Sequence, residues 1–196
     1  MDKLQQAIRL EYLSLGWMSI EFIVALITGI QAHSVLLVAF GLDSCLEIIS
    51  GLVLLWRLTL EKRQQINVNI DMIERRVTHF VGWILILLAI YIVVTSGYNL
   101  WTHHGAENSF GGLLISAASL VLMPILALRK VKLGKAIHSP ALKEDGMCNV
   151  VCAYMALTVL LGVLLTMLFG WWWLTPVAAL LLVYFILREG LESIRA

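Results

Sequence analysis

Asp43 and Glu47 stand four residues apart inside the apolar run 34–58, SVLLVAFGLDSCLEIISGLVLLWRL. On a helix this spacing stacks both carboxylates on one face. The run is long enough to cross a bilayer, which takes roughly 20 apolar residues. A charge at mid-membrane costs about 2.5–3.5 kcal/mol on insertion scales, so an acid pair kept there points to a cation or proton site. The competing reading is a hydrogen-bonded pair that only fixes helix packing.

A second set opens the stretch KEDGMCNVVCAY. Asp145, Cys148 and Cys152 are spaced i, i+3, i+7 and share one helical face. Cys148 and Cys152 repeat the i, i+4 spacing of the acid pair. With the two runs crossing in opposite directions at 1.5 Å per residue, Asp43 and Glu47 lie roughly 10–17 Å from the inner surface and Asp145 to Cys152 roughly 8–18 Å. The two sets therefore meet at one depth. Two carboxylates with one or two thiolates suit a tetrahedral site for a borderline-soft divalent metal such as zinc. The blander readings are a helix-start charge for Asp145 and small packing residues for the cysteines. Asn149 falls close to the same stripe. Glu21, in the middle of WMSIEFIV, fits either a proton relay or a structural hydrogen bond. His33, His103 and His104 fall at outer turns, His79 and His138 on the inner side, and all five read as solvated rather than metal-gathering.

The elements that must position these residues follow from composition. The chain is 60% hydrophobic and 14% charged, whereas soluble domains carry about a quarter charged residues. It reads as an all-α integral membrane protein, one domain over 1–196, with six spans near 13–30, 34–58, 77–101, 110–128, 147–169 and 171–187. The links after spans one, three and five are short, and those after spans two and four longer and charged. All 14 Lys and Arg residues fall at the ends or in and around the second and fourth links, with Arg57 at the inner end of span two. By the positive-inside rule both termini are expected in the cytoplasm. Trp101 and Trp171–Trp173 are expected to form an aromatic belt on the outer side. A net charge of +1 without a basic tail gives no footing for nucleic acid. Three cysteines, all in apolar runs, argue against a disulfide framework. No phosphate loop, nucleophile motif or catalytic metal motif is present, so an enzyme is not expected.

Over nearly its whole length the chain resembles the cation diffusion facilitator (cation efflux) family. The stretch AHSVLLVAFGLDSCLEIISGLVLLWRL resembles that family's second span, with Asp43 and Glu47 on its acidic pair. ALKEDGMCNVVCAYMAL resembles the fifth span, where Cys148 and Cys152 take the place of a His or Asp and an Asp. WWWLTPVAALLLVYFILREGLESIR is similar to the sixth span, with Thr175 where an Asp is usual. LEYLSLGWMSIEFIVALITG is similar to a compact bacterial branch without the C-terminal cytoplasmic domain. The resemblance implies export of zinc or a related divalent metal by proton exchange, as a homodimer, in a bacterial inner membrane. Asp43, Glu47, Asp145, Cys148 and Cys152 are then the metal-site candidates. A membrane protein that binds metal without transporting it, and a purely structural one, are the other classes.

Overall fold

The computed structural model describes residues 3–62, 70–103 and 109–195. Among them are six helices: α1 (Lys3–Gln31), α2 (Val35–Lys62), α3 (Ile70–Thr102), α4 (Phe110–Ala136), α5 (Pro140–Phe169) and α6 (Leu174–Arg195). Each contains a segment long and apolar enough to cross a membrane. Arg63 and His104 lie outside the described residues.

The helices run beyond the apolar spans. α1 begins at Lys3 because its buried stripe of Ala7, Glu11, Ser14, Met18, Glu21 and Ala25 continues at helical spacing through the polar opening. The longer charged link expected after the fourth span is instead mostly helix. α4 continues to Ala136, and α5 starts at Pro140. His138 closes α4 in the left-handed region at φ 55°. The Ser139 N–H donates to the Gly134 carbonyl at 2.9 Å, a Schellman closure. The Ser139 hydroxyl then caps α5 by accepting from the Leu142 N–H. Pro140 at the first turn needs no donor there. The turn from α1 to α2 uses the same device, with His33 at φ 50° and the Ser34 N–H on the Gly29 carbonyl.

Lipid gives apolar side chains no drive to leave it, so close packing and polar contacts hold spans together. The most extensive pairings are α1 with α2, α4 with α5, and α3 with α6. α1 also packs on α4, while α2 reaches α3, α5 and α6. At Gly146 of α5 an added Cβ would come within 3.0 Å of the Lys130 Cβ on α4, so only glycine permits that approach. Phe40, Ile92, Met155, Leu182 and their neighbours fill the centre between α2, α3, α5 and α6. Phe80, Trp83, Leu87, Ile90, Val94 and Tyr98 of α3 face outward, as a lipid-facing surface requires.

Candidate metal centre

Helix α2 carries Asp43 and Glu47 one turn apart near its middle, turned inward. Asp43 is buried and Glu47 half-buried. Facing them from α5 is Cys152, also buried. Its Sγ lies 3.0 Å from Glu47 Oε2 and 3.7 Å from Asp43 Oδ2, the thiol acting as donor. One donor atom from each of the three residues falls within 4.8 Å of the others. In a tetrahedral zinc site, with Zn–S near 2.3 Å and Zn–O near 2.1 Å, sulfur and oxygen sit about 3.6 Å apart. The two carboxylates and the thiol thus stand nearly at coordinating separation. A zinc ion held by these three donors would keep a fourth position for water or an exchanging group, the form that catalytic rather than structural zinc sites take.

The remaining candidates are placed differently. Among the described residues the triple of ligand atoms consists of Asp43, Glu47 and Cys152. Cys148 is half-buried on α5 and stands outside that triple. It lies about 40° around the helix from Cys152, since four residues exceed one turn of 3.6. Asp145 also stands apart from the triple. It accepts a hydrogen bond from Lys130 of α4, and the same ammonium lies 3.1 Å from Glu11 Oε2 of α1. Lys130 and Glu11 are fully buried and Asp145 nearly so. Sequence reasoning assigned Lys130 to the basic link and gave Glu11 no role. The signal for Glu11 was its place on the stripe leading to Glu21. Lys130 carried no comparable mark, because nothing local separates it from Arg129 and Lys132.

Glu21 lies inside the bundle as a tie between three helices. Its Oε1 accepts from Ser44 of α2 at 2.6 Å. Its Oε2 accepts from the Trp17 indole at 3.1 Å and from Ser119 of α4. Three donors satisfy the carboxyl group, as a buried polar group requires. Ser44 neighbours Asp43, so the network fixes the turn of α2 that bears this candidate ligand. Asn149 is fully buried on α5, and its amide has no hydrogen-bond partner among the described residues. Thr166 and Thr175 share a hydrogen bond of 2.9 Å, joining α5 to α6 at the far end. His103 packs its ring 4.7 Å from that of Trp172.

A family model for the cation efflux transmembrane domain matches residues 12–196. The chain is also similar to transmembrane protein 163 of Xenopus laevis, with 27% identity over 158 residues, or 81% of this chain and 55% of the relative. The chain therefore spans about half the length of the curated relative it matches. That relative comes from an animal, so it gives no support to the bacterial membrane expected from the short form.

Proposed function

The chain belongs to the cation efflux family, and from that premise we propose that it is a secondary transporter exchanging a divalent metal, zinc, against protons. Membership makes it a transporter of metal cations in general terms. The finer reading is carried by one observation, the buried set of Asp43, Glu47 and Cys152 with donor atoms within 4.8 Å.

The chemistry follows from the donors. Dehydrating a divalent cation must be compensated by anionic ligands, and this set supplies two carboxylates and a thiol. All three bind metal only when deprotonated, so loading releases protons and proton return favours unloading. That competition couples the two fluxes without any further device. The thiol selects for softer ions such as zinc and cadmium over magnesium or calcium. Glu21, anchored through Ser44 and Ser119, holds α2 in the register that presents Asp43. The side of the membrane bearing Lys and Arg is read as cytoplasmic by the positive-inside rule, and export from that side is the direction the family resemblance implies. The working unit is taken to be a homodimer, as the family resemblance implies.

The test is metal uptake into proteoliposomes holding the purified chain under an imposed pH gradient, scanning Zn²⁺, Cd²⁺, Co²⁺, Mn²⁺ and Fe²⁺. Gradient-driven zinc flux that disappears in Asp43→Asn is the expected result. Asp43-dependent binding with no flux for any ion would replace the carrier by a metal-binding protein without transport. No binding at all would leave a structural role.

A further inference from the structure

Glu11, Lys130 and Asp145 form a buried ionic cluster that the exchange chemistry above does not use. We propose that this cluster is the gate on the basic side of the metal centre, with Lys130 as a tethered cation plugging the approach to it. The inference deepens the carrier reading and rests on it.

The position of the cluster carries the proposal. Glu11 and Asp145 lie in the opening turns of α1 and α5, and Lys130 in the closing turns of α4. All three therefore sit on the side that bears the basic residues. Asp145 precedes Cys152 by seven residues on the same face of α5, about 10 Å along the axis. Glu11 reaches α2 as well. Its Oε1 lies 2.8 Å from where a Cβ on Gly51 would stand, and Gly51 follows Glu47 by four residues, about 6 Å. The cluster thus joins α1, α2, α4 and α5 at one level, a turn or two below the ligands.

Its charge and bonding also fit a gate. Two carboxylates face one ammonium, so the ionised cluster keeps one negative charge in excess and draws cations to a place that Lys130 fills. Asp145 accepts a hydrogen bond from the ammonium, and Glu11 Oε2 lies 3.1 Å from it as an ion pair. Lys130 thereby links α4 to both α5 and α1, and replacing Glu11 loosens the second of these ties. Between the cluster and the centre stands Asn149, four residues after Asp145 and three before Cys152. Its amide is fully buried and unsatisfied among the described residues. A buried amide without a partner is costly, and here it offers a carbonyl oxygen to an ion passing from gate to centre.

Cys152 serves as the reporter. With Cys45→Ala and Cys148→Ala it becomes the sole thiol of the chain, which has three cysteines. The full chain is placed in sided vesicles and treated with a charged, membrane-impermeant methanethiosulfonate. Glu11→Gln is expected to raise modification of Cys152 from the basic side by at least tenfold and to leave the rate from the opposite side unchanged. Lys130→Arg, which preserves both ion pairs, is expected to stay at the slow rate of the parent. Unchanged labelling in Glu11→Gln, or an equal rise from both sides, overturns the gate and leaves a structural ion cluster. Should Glu11→Gln fail to fold, Asp145→Asn is read by the same two rates. Zinc flux of the unsubstituted chain separates this inference from the one beneath it. Flux without a side-specific labelling change keeps the carrier and removes the gate. A side-specific change without flux keeps the gate and removes the carrier.

Discussion

As a candidate ligand Cys152 differs in character from Asp43 and Glu47, and that difference can be measured. Asp43→Asn removes an anionic donor from a set of three. Loss of an outer partner to a metal ligand alone costs about 10–100-fold in affinity, so loss of this ligand should weaken zinc binding by roughly 100-fold or more in a competition titration. Cys152→Asp keeps the charge and hardens the donor. It should lower cadmium affinity more than zinc affinity and raise the relative affinity for manganese, read as a change in the order of ions in the same titration. For the unsubstituted chain, zinc affinity should fall as pH is lowered, because protons and metal compete for the same lone pairs. An affinity flat between about pH 8 and 6 would contradict ligation by these groups. Asp43 and Glu47 were legible in the sequence because an acid in an apolar run stands out against its surroundings. The choice between Cys148 and Cys152 was not legible. Both carry the right spacing, and only the rotation of α5 against its neighbours decides which thiol faces α2.

At the scale of elements, α1, α2 and α4 are tied through one carboxylate, that of Glu21. Removing a donor to it by Ser119→Ala should lower stability by on the order of 1 kcal/mol, in line with polar contacts between membrane helices. Glu21→Gln should do more damage, because an amide brings its own N–H groups where three donors already converge. Unfolding in mixed micelles checks both, and equal stability of Glu21→Gln and the parent would refute the tie. Gly146→Val tests the other seam. Its side chain would enter space held by Lys130 and Val131, forcing α4 from α5 and moving Cys152 with it. Both stability and zinc affinity should drop together. The six helices were legible from hydropathy, whereas their ends were not. Polar residues such as Glu11 and Lys130 continue helices whose apolar stretches have stopped, and a hydropathy reading ends with the last apolar residue.

At the scale of the molecule, the even number of crossings puts both ends of the described chain on one side. A protease added to sealed, right-side-out vesicles should spare tags at either terminus, and cleavage of one tag alone would break the six-span arrangement. The bundle also divides unevenly. Glu11, Glu21, Asp43, Glu47, Lys130 and Cys152 all lie on α1, α2, α4 and α5, while α3 and α6 pair closely with each other and contribute none of them. The candidate ligands and the α3–α6 pair therefore occupy different helices of one bundle. For a pharmacologist this separation offers two kinds of inhibitor. A metal mimic at the carboxylates would compete with the ion and raise KM. A lipophilic compound wedged between α3 and α6 would act away from the candidate ligands, a brake on turnover that no excess of metal could relieve.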